Sequence, residues 1–281
     1  MTDLDPAHIA ANATGLKVHL RVVPLGHTTY RVVTLRPSMG VRFASNYFHD
    51  TWHIVTSIAG AHVLGRLLWG LAFQRQPGTL VMIDVPHLVP TPFEADPSDP
   101  IVLVPAGLTR FDREDLARLT RTLRRSPVTP RTIRWHTFGM IAALAPTPDH
   151  LRFRSPTPHP DSMLARERMS RRAGMICYSA APELLRQHGC GIFGIRGVQY
   201  GSYFPLAEHR HGRWHYDGEV QVLPNFDEAV ASAEVARQET IGDRAITSEV
   251  ERQAVFRRRD QVEARRRRAY RAAKSTRRRA P

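Results

Sequence analysis

The longest apolar stretch of the chain covers residues 46–86 and contains two kinds of pattern. Residues 47–73 include no proline, and apolar side chains recur there every three or four positions. That spacing places them on one face of an α-helix. The next run, residues 79–85, is apolar at almost every position, which is typical of a strand covered on both faces. We therefore predict a long apolar helix followed by a buried strand.

The remaining chain mixes strand and helix patterns around this centre. Strands are predicted at 17–24, 28–35 and 101–104, and helices at 109–125, 161–172 and 226–239. These elements predict an α/β or α+β fold in which a mixed sheet surrounds the long apolar helix. The expected organisation is an α/β domain at 1–145, a proline-rich connection at 146–161, a smaller α+β lobe at 162–240 and a basic helical tail at 241–281.

Composition bears on whether the protein enters a membrane. The predicted apolar helix is about as long as a membrane span, but His62 and Arg66 stand in its middle. An arginine at the bilayer centre costs roughly 2.5–3.5 kcal/mol, so stable membrane insertion is not expected. The two cysteines imply no disulfide framework, and the first residues lack the pattern of a secretory signal. The sequence thus favours a cytoplasmic protein. Its high content of arginine and alanine is typical of bacteria with GC-rich genomes.

Positive charge is concentrated at the C-terminal end of the chain. The whole chain carries a formal net charge of +14, and residues 251–281 hold 12 Arg and one Lys against three acidic residues. Residues 246–273 contain no proline or glycine and many good helix formers, so a helix is predicted there. Arginines at this density repel one another and lack acidic partners, so they would gain by neutralising phosphates and releasing counterions.

This charge predicts a nucleic-acid-associated protein whose tail binds the phosphate backbone. The predicted contact residues are Arg257, Arg258, Arg259, Arg265, Arg266, Arg267, Arg268, Arg271, Lys274, Arg277, Arg278 and Arg279. Tyr270 is the only aromatic residue late in the tail, so base stacking and sequence readout are not expected, and DNA is not distinguished from RNA. An arginine-rich face on the predicted helix 109–125 offers a second phosphate-contacting patch. A scaffold that docks an acidic protein partner is an alternative interpretation of the same charge.

An enzyme is a further alternative, and the sequence leaves open whether the protein is one. Asp84 lies near the end of the predicted buried strand, and His87 follows three residues later. Ligands and metals commonly bind at the carboxyl ends of strands in α/β sheets, so these two are the candidate catalytic residues. The activity would be that of a metal-assisted hydrolase or nuclease.

A cluster of histidines supplies the candidate metal ligands of this alternative. His209, His211 and His215 lie close together in sequence, and alternate residues of a strand share one face. Zinc accepts such nitrogen ligands, although the spacing matches no established zinc motif. No cofactor is therefore predicted, zinc is retained as the alternative at this cluster, and the sequence carries no signal of oligomeric state.

Overall fold

The structure is a computed structural model that describes six segments of the chain. The described residues are 15–110, 112–125, 130–144, 161–196, 201–207 and 216–279, with the backbone alone at 161–162 and 272–279. The elements, in chain order, are β1 (Leu16–Leu25), β2 (Thr28–Thr34), β3 (Phe43–Phe48), β4 (Thr51–Thr56), α1 (Ile58–Ala72), β5 (Thr79–Ile83), β6 (Ile101–Pro105), α2 (Arg113–Arg125), β7 (Arg131–Trp135), α3 (Met140–Leu144), α4 (Asp161–Leu164), β8 (Arg168–Arg172), β9 (Met175–Ala180), α5 (Pro182–Phe193), β10 (Ser202–Leu206), β11 (Gly218–Val222), α6 (Phe226–Thr240) and α7 (Glu249–Arg279). This mixture confirms the predicted α/β or α+β class.

The chain divides into two units. Unit 1 comprises residues 1–88 and 99–224, and unit 2 comprises residues 89–98 and 225–281. Unit 1 contains a seven-stranded mixed sheet in the order β7-β1-β2-β5-β6-β9-β8 and a four-stranded sheet in the order β10-β11-β4-β3. In the larger sheet, β2 pairs with β5 and β6 with β9 in parallel, and the other neighbours are antiparallel.

The centre of the larger sheet is covered on both faces. Every residue of β5 and β6 is buried, which confirms the prediction made from their unbroken apolar runs. On one face, alternate residues such as Val81 and Leu103 join the main core, together with apolar residues of α1 and α5. On the other face, Leu80 and Val102 pack with Leu116 of α2 in a second core. The strands therefore alternate between two apolar layers.

Helix α1 crosses α5 at a pair of glycines. A Cβ atom added to Gly65 would lie 2.6 Å from the carbonyl oxygen of Gly189, and one added to Gly189 would lie 2.8 Å from the carbonyl oxygen of Gly65. The two backbones thus approach more closely than helices with side chains at the contact allow. Ser57 starts α1, because its hydroxyl accepts a hydrogen bond from the Gly60 N–H at 3.3 Å.

The helix predicted over 47–73 begins only at Ile58, eleven residues after its predicted start. The preceding residues form a hairpin of β3 and β4, in which His49 and Asp50 make the turn at φ values of 50° and 60°. Strand β4 also pairs in parallel with β11, which supplies the backbone partners that a helix would have found within itself. Pairing with distant strands therefore overrides a local pattern that fits both the helical and the strand periodicity.

The helix predicted over 161–172 is also wrong in its second half. Helix α4 ends at Leu164, and residues 168–172 form the edge strand β8, which pairs antiparallel with β9. Strands from both sides of the proline-rich segment 146–161 therefore share one sheet, since β6 pairs with β9. The seven-stranded sheet thus extends across the expected boundary between the first domain and the smaller lobe.

Unit 2 is built from α6, α7 and the loop of residues 89–98. Val255 and Val262 of α7 are buried and pack with Ala236 and Ile241 in a small core of their own. The two valines are seven residues apart, which is the repeat of a helix-packing stripe. Among the described residues, no helix is both long enough and apolar enough to cross a membrane.

Candidate nucleic-acid interface

Helix α7 carries most of the predicted nucleic-acid contacts, and its start is well capped. The Glu251 N–H donates to the Ser248 hydroxyl at 3.2 Å, and the Glu251 carboxylate accepts from the Thr247 N–H at 2.9 Å. These reciprocal bonds satisfy backbone donors that a helix start leaves open, as in a capping box. A capped start and the buried valines explain why a strongly basic segment is helical here.

Most of the described tail arginines already have partners within unit 2. The guanidinium groups of Arg258 and Arg265 contact the two carboxylate oxygens of Glu239 on α6, at 2.6 and 3.0 Å. These two arginines hold the pKa of Glu239 below its usual range, Arg265 most strongly. The expectation that the tail lacks acidic partners is therefore corrected, because they come from another helix.

Three more tail arginines have partners of other kinds. Arg259 donates to the Pro92 carbonyl at 3.1 Å and to Asp260 at 2.8 Å. Arg267 pairs with Glu263 one helical turn away at 3.0 Å. Arg266 donates to the hydroxyl of Ser232 at 3.4 Å, which is a weak bond.

An acidic loop fixes the first turn of α7 in the same way. Asp96 accepts from Arg237 of α6 at 2.8 Å and from Arg252 of α7 at 3.0 Å. Arg237 also donates to the carbonyl oxygen of Glu94 at 3.1 Å. A carboxylate that bridges two helices in this way makes unit 2 a charge-compensated structure rather than a loose basic tail.

Three arginines of α7 are left without a partner among the described residues: Arg257, Arg268 and Arg271. All three are exposed. At about 100° per residue they lie on the side of the helix opposite Val255 and Val262, spread over roughly 21 Å of helix length. The side chains of Lys274, Arg277, Arg278 and Arg279 lie outside the described residues, although their backbone belongs to α7. We call Arg257, Arg268 and Arg271 the outer arginines.

The charge of the molecule is distributed differently from what the tail alone indicates. Unit 2 holds 15 Lys and Arg against 11 Asp and Glu, a net charge of +4. Unit 1 holds 25 against 15, a net charge of +10. The acidic residues of α6 and of the loop 89–98 neutralise much of α7. Among the α7 side chains that the structure describes, the outer arginines are therefore the ones available to a polyanion.

The candidate catalytic residues Asp84 and His87 line one cavity of about 420 Å³ in unit 1. The Nδ1 atom of His87 lies 2.8 Å from the Val41 carbonyl oxygen, which can only accept, so Nδ1 is the donor of this hydrogen bond. Nε2 is buried and has no hydrogen-bond partner in the structure. The Asp84 carboxylate accepts from the Val85 N–H at 2.8 Å, which is a turn-capping role.

Three more basic residues line the same cavity: His19, Arg21 and Arg124. The Nε atom of Arg21 is buried and has no hydrogen-bond partner within the described ranges, while one of its terminal nitrogens donates to the Leu123 carbonyl at 3.2 Å. Burial and the neighbouring Arg36 and Arg21 lower the pKa of His19. A small molecule with both a donor and an acceptor would satisfy the orphaned nitrogens of His87 and Arg21.

The predicted zinc ligands His209, His211 and His215 all lie outside the described residues. Within the described part of the chain, no group of three His, Cys, Asp or Glu side chains is close enough to hold a metal ion.

Sequence reasoning missed a second cavity, of about 650 Å³, which four arginines of unit 1 line: Arg110, Arg166, Arg168 and Arg172. Its residues come from three separate segments, so no local motif could have shown it. Neither known protein families, nor curated proteins, nor solved structures gave a match to the chain.

Proposed function

We propose that the protein binds the phosphate backbone of nucleic acid through the outer arginines of α7, with little preference for sequence. The observation that carries the proposal is the position of these three arginines. Their guanidinium groups, which no other described residue contacts, lie on the helix face opposite the buried valines. Arginine suits bidentate phosphate contacts, and each contact releases condensed counterions. The free thiols of Cys177 and Cys190 fit a reducing, cytoplasmic setting for such a partner.

Charge substitution tests this proposal better than deletion of the tail does. Removing residues 251–281 would also strip Val255 and Val262 from the core of unit 2. The test variant is therefore Arg257→Gln, Arg268→Gln, Arg271→Gln, which changes exposed side chains only. The matched control is Arg258→Gln, Arg265→Gln, Arg267→Gln, which removes the same charge from arginines that acidic residues already neutralise.

Binding is measured by fluorescence anisotropy on a labelled duplex and on a labelled single strand at about 50 mM salt. The outer-arginine variant is expected to lose more than about a hundredfold in affinity, because three phosphate contacts disappear. The control is expected to lose less than about tenfold. Equal losses in the two variants, or no binding by the unmodified protein, would overturn the proposal. Competition by poly-glutamate as effective as that by DNA would instead favour an acidic protein partner.

A second candidate function is hydrolysis at the Asp84–His87 cavity. It is favoured by the buried, unpartnered Nε2 of His87, which can accept a proton from an attacking water. The test incubates the protein with nucleic acid and with a phosphate monoester, with Mg²⁺ or with a chelator. Cleavage that disappears in both His87→Gln and Asp84→Asn would support this function. Cleavage that survives either substitution, or none at all, would reject it.

A further inference from the structure

The four-arginine cavity of unit 1 lies where ligands commonly bind in sheets of this kind. Its floor includes Val104 at the end of β6 and Cys177 and Ser179 on the neighbouring parallel strand β9. Thr109 and Arg110 follow β6 and close one side. The carboxyl ends of parallel strands in open α/β sheets form such crevices, because the chain turns away there and leaves the end of the sheet uncovered.

Strand pairing explains why arginines gather on this side. Along β8, Arg168, Ser170 and Arg172 alternate with Met169 and Arg171, so the first three share the face of the sheet that lines the cavity. Arg171 points away and its guanidinium contacts the Asp99 carboxylate at 2.6 and 3.1 Å.

Glu167, which lies between Arg166 and Arg168, points away from the cavity. Glu167 is buried and accepts from the Tyr178 hydroxyl at 2.7 Å, and it lies 3.3 Å from Nδ1 of His188. Because Glu167 turns inward, its two neighbours can both reach the cavity, which they line.

The cavity has an uncompensated positive charge. The guanidinium groups of Arg110, Arg166 and Arg168 have no partner among the described residues, and that of Arg172 donates only to the Ser170 hydroxyl at 3.3 Å. None of the described residues that line the cavity is acidic. Four guanidinium groups around one depression repel one another, so a ligand with several negative charges would reduce this electrostatic repulsion.

The lining residues also define the chemical class of the ligand. Volumes of about 300–1,000 Å³ suit small molecules, and the cavity falls within that range at about 650 Å³. The described lining includes no aromatic side chain, so a nucleobase would find no stacking platform. Burial raises the pKa of the Cys177 thiol to about 12, so the floor offers no thiolate nucleophile.

We propose that this cavity binds a small ligand bearing two closely spaced phosphate groups, held by Arg110, Arg166, Arg168 and Arg172. The forked donors of arginine match phosphate oxygens, and four of them neutralise the charge of a diphosphate. The site is independent of the outer arginines of α7.

The test uses pyrophosphate as the probe and the full chain as the protein, with isothermal titration calorimetry and thermal unfolding as readouts. Pyrophosphate is expected to bind at one site, more tightly than orthophosphate, and to raise the unfolding temperature. Arg168→Gln with Arg172→Gln is expected to weaken binding by about a hundredfold, at roughly tenfold per charge-assisted contact.

The control is Arg171→Gln, which removes one charge, against two in the test variant, from the same strand but from its other face. It is expected to stay within about threefold of the unmodified protein. Equal weakening by the control, or no saturable binding of pyrophosphate, would overturn the proposal. So would displacement of pyrophosphate by a short oligonucleotide that binds more tightly at this site. The outer-arginine variant is expected to bind pyrophosphate normally, which separates this result from the nucleic-acid test.

Discussion

Removing a single acidic residue should strengthen nucleic-acid binding. Glu239 holds Arg258 and Arg265 against α6, at 2.6 and 3.0 Å. In Glu239→Gln both guanidinium groups lose their carboxylate, while the remaining amide can accept only a weaker bond. Both arginines lie beside the outer arginines on the helix, so both become available to phosphates.

The size of the effect follows from counterion release. Two further phosphate contacts should steepen the plot of log affinity against log salt by about 1.8. At roughly 0.1 M salt this corresponds to a gain in affinity of up to about sixtyfold. The assay is fluorescence anisotropy on a labelled duplex, with the helical content of each variant checked by circular dichroism.

Glu234→Gln is the control for net charge. Glu234 is an exposed residue of the same helix, and no arginine is paired with it in the described part of the chain. Its substitution should change the affinity by less than about threefold, since it frees no arginine. If the two variants bind equally tightly, the ion pairs at Glu239 do not limit binding and the reasoning is refuted.

Three further predictions concern the fold. Gly65→Ala should reduce the free energy of unfolding, measured in urea titrations, by about 1–2 kcal/mol. The reason is that overpacking against the Gly189 carbonyl outweighs the better helix propensity of alanine. Unchanged or greater stability would contradict the close crossing of the two helices. Val262→Ala should lower the free energy of unfolding of unit 2 by about 2 kcal/mol, because it deletes two buried methyl groups. The unfolding is followed by the helical circular dichroism signal. A loss below about 0.5 kcal/mol would argue against this core. Burial, with a smaller effect of His49, lowers the pKa of His53 from 6.5 to about 4. The contribution of a neutral His53 is therefore fully present above pH 6.5 and is lost as the pH falls through about 4. The stability curves of the protein and of His53→Gln should converge or cross there rather than run parallel.

The local sequence was informative wherever a segment's own composition decides its structure. The continuous apolar runs of β5 and β6 leave no face for solvent, so burial on both sides could be predicted. Similarly, a stretch without proline or glycine made the helical conformation of α7 predictable.

Long-range pairing explains the failures. Trp52 and Val55 fit a helical stripe as well as an alternating strand, and only the pairing of β4 with β11, more than 160 residues later, decides for the strand. The same holds for β8, where only the pairing with β9 makes residues 168–172 a strand and so turns Arg168 and Arg172 to one face and Arg171 to the other.

Charge counting failed for a related reason. Glu239 precedes its partners Arg258 and Arg265 by 19 and 26 residues, and Asp96 precedes Arg252 by 156. A window along the sequence therefore assigns these arginines to solvent, while the folded chain neutralises them. Asp84 and His87 could be predicted to lie together because they are only three residues apart in the sequence. The four-arginine cavity could not be predicted, because its lining comes from three separate segments of the chain.

The salt dependence of nucleic-acid binding tests the central claim most directly. Affinity for a labelled duplex is measured between about 50 and 200 mM salt for the unmodified protein and for the outer-arginine variant. If Arg257, Arg268 and Arg271 each neutralise one phosphate, the slope of log affinity against log salt should become shallower by about 2.7 in the variant. Identical slopes for the two proteins would show that these arginines release no counterions, and that the outer face of α7 is not the nucleic-acid interface.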